Sequence, residues 1–145
     1  MKISIEEIDK NKQEEIIIKC HELDDEVLQI IKQLQTNNDV LIGYDGATIH
    51  RIRRENIFYF EAVDNKVFVY CKEKVFESKQ KLYELEEIFE FGNFFRASKS
   101  TIVNIAKISS VQPSLSGRFE ATLDNGERVI ISRQYVSVLK KRLGL

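Results

Sequence analysis

The chain has 145 residues, 43% of them hydrophobic and 31% charged, with six Gly and one Pro. That length fits one domain or one domain with a short appendage, and the composition excludes collagen-like, mucin-like and broadly disordered classes. The formal net charge of −1 hides an uneven distribution, because residues 1–90 carry −7 and residues 91–145 carry +6. A basic end suits a polyanionic partner, although charge also fluctuates along chains that bind none.

No apolar run approaches the roughly 20 residues of a membrane helix. The opening MKISIEEIDKNKQEE lacks the apolar core of a signal peptide. A soluble, cytoplasmic protein without membrane insertion is expected. Cys20 and Cys71 make no Cys-x-x-Cys pair, so neither a disulfide framework nor a zinc ribbon is expected. Both read as small buried hydrophobes on strands.

The first segment alternates weakly at Ile3, Ile5 and Ile8, then presents Ile16, Ile17, Ile18 and Cys20, a β-branched run that predicts a buried strand. LDDEVLQIIKQLQTNN follows as a helix. Asp24 suits its N-cap, Asp25 and Glu26 suit the positive end of its dipole, and Val27, Ile31 and Leu34 form its stripe. Its stop is placed at Thr36-Asn37-Asn38, which makes residues 1–38 a β-α extension.

From residue 39 onward the texture changes to short aromatic-rich strands with frequent turn signals. Val40 to Tyr44 and Ala47 to Arg51 flank Asp45-Gly46. Ile57 to Val63 and Val67 to Cys71 flank Asp64-Asn65-Lys66, and Lys74 to Ser78 adds a strand. KQKLYELEEIFE predicts a helix with Leu82, Leu85, Ile88 and Phe89 on one stripe, Ser78 as a cap and Gly92 as the stop. Ile105 to Val111, a loop at 113–117, and RFEATL and ERVIIS around Asp124-Asn125-Gly126 return the chain to β structure. A final helix is capped by Ser132, turns Tyr135, Val138, Leu139 and Leu143 inward and ends at Gly144.

Catalytic patterns are sparse. The glycines form neither a dinucleotide fingerprint nor a P-loop, and adjacent Cys20 and His21 would point to opposite faces of a strand. No catalytic residue, metal or cofactor is expected. Glu84, Glu86, Glu87 and Glu90 read as a solvated helix face. The basic end is richer: Arg96, Lys99, Lys107, Arg118, Arg128, Arg133, Lys140, Lys141 and Arg142 are interleaved with Ser98, Ser100, Thr101, Asn104, Ser132 and Gln134. Lys and Arg suit phosphates and guanine edges, and Ser and Asn suit phosphates or other bases.

Within that end, Phe94-Phe95-Arg96-Ala97-Ser98-Lys99-Ser100-Thr101-Ile102-Val103-Asn104 resembles the central motif of the LytTR-type DNA-binding domain. Ile57-Phe58-Tyr59-Phe60-Glu61-Ala62 resembles the family's early strand, and Ile131-Ser132-Arg133-Gln134-Tyr135 with Leu139-Lys140 its closing helix. Three blocks in order make the match specific over residues 39–145. The resemblance implies an α+β, mainly β fold, an elongated stack of small sheets. It also implies a non-enzymatic regulator whose loops enter successive major grooves of double-stranded DNA, with no small-molecule substrate.

The matching positions are Asn65 and Lys66 at a hairpin tip, Ser98, Lys99 and Ser100 in a loop, and Arg133 with Gln134 at the last helix. Lys99 and Arg133 are expected to read guanine, Ser98 and Ser100 to hold phosphate, Arg96 to pair with a carboxylate such as Glu61, and Asn104 to satisfy a turn. Many members carry His at the position of Ser98, so base preference does not transfer. The first 38 residues are too few for the receiver domain that often accompanies this family, and resemble the extension of stand-alone members, packing on the β body or forming a homodimer contact. The competing expectations are a protein-interaction module of the same fold that has lost DNA, and a small hydrolase or ligand-binding barrel.

Overall fold

The computed structural model describes residues 1–35, 40–90 and 92–145. The chain divides into two compact units, Met1–Gln35 and Thr36–Leu145. The helix stop assigned to Thr36-Asn37-Asn38, and with it the boundary at 38–39, lies outside the described residues.

In the first unit, helix α1 spans Asp25–Gln35, and Asp24 caps it by accepting the Val27 N–H at 3.0 Å. Val27 is buried, whereas Leu28 and Leu34 are about half exposed. The strand expected at Ile16 to Cys20 is absent: residues 1–24 contain no strand, Ile16 and Ile17 are 72% and 65% exposed, and Cys20 is exposed. A β-branched run favours extended backbone, but a strand also needs a neighbour to complete its hydrogen bonds, and this unit supplies none.

The second unit is mainly β. Strands β1 (Val40–Asp45), β2 (Thr48–Arg53), β3 (Ile57–Val63), β4 (Lys66–Cys71), β5 (Val75–Ser78), β6 (Phe94–Arg96) and β7 (Thr101–Asn104) form one sheet in the order β2-β1-β5-β4-β3-β7-β6. Strands β8 (Ile108–Pro113), β9 (Phe119–Leu123) and β10 (Arg128–Ile131) form a second. Every pairing is antiparallel. Helix α2 spans Leu82–Ile88 and helix α3 Arg133–Arg142. The β content is thus gathered into one large sheet and one small one.

Alternation along the central strands explains the layers. Phe60, Ile102 and Phe94 pack with Leu82, Leu85 and Phe89 of the α2 region. Phe58, Val103 and Phe95 face the opposite way and pack with Ala121, Leu123, Val129 and Ile131 of the small sheet and with Val136 and Leu139 of α3. Successive strand residues point to opposite faces, and here both faces are covered. All four residues of β7 are accordingly buried.

Two turns follow the local chemistry closely. Asp64 and Asn65 take φ of 50° and 63°, the paired left-handed geometry of a two-residue hairpin between β3 and β4. Gly126 takes φ 87° between β9 and β10. Three expected details are corrected. Ser78 accepts the Gln80 N–H, whereas the N-cap of α2 is Lys81, whose N–H is held by the Glu84 carboxylate. Val136 and Leu139 are the buried pair of α3, with Val138 and Leu143 more than one-third exposed, because the small sheet covers a stripe rotated from the one the spacing suggests. Cys71 is half-buried and Cys20 exposed, so the thiols differ, burial holding that of Cys71 above its ordinary range.

Asn104 ties the end of β7 to β3 and to the turn that follows. Its amide donates to Ile57 O at 2.8 Å, and its carbonyl accepts the Ala106 N–H at 3.0 Å. Asn104→Ala removes both bonds from a buried site and is expected to destabilise the protein by about 1–3 kcal/mol in urea unfolding. In the folded protein, alkylation by iodoacetamide is expected to reach Cys20 well before Cys71, as peptide mapping over time would reveal.

Candidate nucleic-acid interface

The β6–β7 connection turns on four residues, and each of their carbonyls meets a protein donor. Ala97 O accepts from Ser132 N at 2.8 Å, and Ser98 O from Arg96 Nε at 2.7 Å. Lys99 O accepts from Arg96 Nη2, and Ser100 O from Ala62 N at 2.8 Å. Ser98 Oγ accepts the Ser100 N–H at 3.3 Å. The loop is tied at once to β3, to the start of α3 and to the arginine beneath it. Lys99 and Ser100 are left exposed, and Ser98 half-buried.

Arg96 is the organiser. Its remaining donor, Nη1, makes an ion pair with Glu86 of α2. The expected partner Glu61 is therefore incorrect, and strand register explains it. Arg96 stands opposite Ile102, which stands opposite Phe60, so the Arg96 side chain shares the α2 face with Phe60. Glu61, one residue on, points to the other face. Glu86 is correspondingly no mere solvated helix residue.

The Ala97–Ser132 bond sets the second half of the surface beside the first. Ser98, Lys99, Ser100, Ser132, Arg133 and Gln134 line one concavity, joined by Ser116 and Arg118 from the loop between β8 and β9. That loop comes close: Gly117 has φ +73°, and a Cβ there would lie 2.9 Å from Arg133 Cδ. Ser116 and Arg118 were absent from the residues expected at the site. The only trace in the sequence is a short run of small residues ending in Arg118, and loop composition alone does not say which neighbour it meets.

The basic residues sort by partner. Arg128 pairs with Glu120 at 3.4 Å, Arg142 donates to Gly92 O, and Lys107 and Lys140 lie over the rings of Phe58 and Phe119. Among the described residues, Lys99, Arg118 and Arg133 have no carboxylate partner, and all three are exposed. Asn65 and Lys66 are exposed but do not line the concavity, and Lys66 lies 4.0 Å from Glu77. Their hairpin tip follows directly on Ala62, the residue bonded to Ser100, so β3 carries it to the same end of the sheet. At the other end of β3, Tyr59 stacks on Tyr70 at 4.2 Å, and burial, then the Glu127 carboxylate, holds the Tyr59 phenol far above its ordinary range. No group of three or more His, Cys, Asp or Glu gathers as a metal site among the described residues.

Residues 47–144 match the LytTr DNA-binding domain family. The chain belongs to that family. It is similar to a LytTr DNA-binding domain of known structure from Bacillus cereus, with a TM-score of 0.71 and 30% identity over 75% of this chain and all of that one. It is also 29% identical, over 95% of both chains, to a protein named an HTH-type transcriptional regulator in Staphylococcus aureus strain bovine RF122. The sensory transduction protein LytT of Enterococcus faecalis is 27% identical over 67% of this chain and 40% of its own length. In this LytTr member the three α-helices of the described residues are separated by strands, and none is joined to another by a short turn.

Arg96→Ala should release the Lys99 loop while leaving both apolar cores intact. The expected outcome is a loss of affinity for duplex DNA of about tenfold or more in fluorescence anisotropy, with a change in stability of only about 1 kcal/mol.

Proposed function

We propose that this LytTr protein is a sequence-specific, non-enzymatic transcription regulator that reads the major groove through loops. Two copies bind paired sites on double-stranded DNA in the cytoplasm. The observation that carries the reading is the concavity in which Lys99, Arg118 and Arg133 stand free of carboxylates among Ser98, Ser100 and Gln134. Unpaired cations at a surface are what phosphate neutralisation and counterion release require.

Roles follow from reach and chemistry. Arg133, on the first turn of α3, offers a planar fork suited to guanine O6 and N7, and Lys99 offers a single ammonium to the same edge. Ser98, Ser100 and Gln134 supply hydrogen bonds to phosphates or neighbouring bases. Arg118, which lines the same concavity, neutralises a flanking phosphate in this reading. The hairpin with Asn65 and Lys66 makes a second point of contact farther along the duplex. Contact at separated tips favours DNA that bends toward the protein.

Arg133→Ala and Lys99→Ala are each expected to cost about 1–3 kcal/mol of binding and to relax preference at one base pair. Arg118→Ala should weaken all duplexes evenly and reduce the log–log salt slope by about one. Sites selected from a random duplex pool, followed by anisotropy across a salt series, would read both effects. Unaltered selection by the Arg133 and Lys99 variants would remove the base-reading assignment. Weak binding to every sequence at about 0.15 M salt would instead favour the interaction module that has kept the fold without DNA.

A further inference from the structure

The first unit holds two arms without regular secondary structure ahead of its helix. Residues 1–8 and 13–20 form two arms joined by a turn, in which the Lys12 N–H donates to Asp9 O at 3.0 Å. Ser4, Glu6 and Ile8 from one arm and Glu14, Ile17 and Lys19 from the other line a single cleft. The arms therefore flank one cleft without pairing, and neither contains a strand. Ile3, Ile5, Ile16 and Ile17 are 87%, 91%, 72% and 65% exposed. Two β-branched arms with no backbone hydrogen bond to one another among the described residues, and with open isoleucines, make a surface that lacks its partner.

We propose that the partner is the same arm of a second copy of this chain, residues 13–20 pairing antiparallel across a two-fold axis. The sequence Glu14-Glu15-Ile16-Ile17-Ile18-Lys19 complements itself in that orientation. With the axis at Ile17, Ile16 faces Ile18 of the second copy and Glu15 faces Lys19. With the axis between Ile16 and Ile17, Ile16 faces Ile17 and Glu14 faces Lys19. Both registers bring isoleucine against isoleucine at the centre and set Lys19 opposite a glutamate at each end, and two-fold symmetry makes every such contact twice. Pairing satisfies the main-chain groups that one copy leaves open. The inference deepens the two-copy reading of the DNA complex by naming the element that joins the copies, and it can be judged with no DNA present.

Charge exchange in the full chain tests it. Sedimentation equilibrium of the wild-type protein should give a dimer. A chain carrying Lys19→Glu, and another carrying Glu14→Lys with Glu15→Lys, should each self-associate roughly tenfold more weakly, because like charges then meet at both ends. Mixing the two variants should restore wild-type association, since opposite charges again face each other. These side chains are exposed, so circular dichroism and melting of the variants should match the wild type. A monomeric wild-type chain, as expected if the arms instead receive a different protein, would overturn the proposal. So would a dimer indifferent to the charge reversals, or a mixture that stays dissociated. If paired operators are nonetheless selected in those cases, the two-copy DNA reading survives and only the arm is excluded.

Discussion

The Arg96 guanidinium is the interaction on which the β6–β7 loop, and with it the candidate interface, depends. Nε and Nη2 hold the carbonyls of Ser98 and Lys99, and Nη1 meets Glu86 on α2. One planar group thus fixes the turn that follows β6 and ties it to the helix behind the sheet. Lysine, with one ammonium in place of a fork, cannot serve three acceptors in that arrangement. With the Ala97, Ser98, Lys99 and Ser100 carbonyls each occupied by a protein donor, what the loop presents is Lys99 and Ser100. The burial of β6 and β7 on both sides gives this clamp a rigid base.

A basic end can be basic for two different reasons. Some of its cations finish the fold, as Arg128 does against Glu120 and Lys140 over Phe119. Others stay unpaired and gather where the β6–β7 loop, the β8–β9 loop and the first turn of α3 converge. A cation already engaged releases few counterions when a polyanion arrives, whereas an unpaired one contributes fully to the salt-dependent term. The modest net charge of the chain is therefore a poor guide to its partner, and the local arrangement a good one. The two units also differ in kind: one is packed around two cores, and the other exposes most of its isoleucines.

Much of the second unit was legible locally. Period-two alternation announced β3 and β9, and Asp64-Asn65 and Asn125-Gly126 announced their turns, since positive φ is a property of the residue and its neighbours. The motif at 94–104 marked the loop with Lys99, and Ser132-Arg133-Gln134 the start of the last helix. The strand expected at Ile16 to Cys20 was misread because β propensity describes a backbone that waits for a partner, and a single chain need not contain that partner. The stripe of α3 was misread because helical spacing allows more than one apolar face, and the small sheet chose Val136 over Val138.

By itself the sequence determined the family, the succession of strands and hairpins, and the identity of the basic end, all of which rest on periodicity and turn chemistry within a few residues. Only the tertiary structure decided that Arg96 would meet Glu86 and not Glu61, that Ser116 and Arg118 would join Arg133, and that Lys99, Arg118 and Arg133 would gather in one concavity without a carboxylate among its lining residues. Those outcomes depend on which face of a pleated strand a neighbour covers and on loops far apart in the chain meeting at one sheet end. No local pattern encodes either.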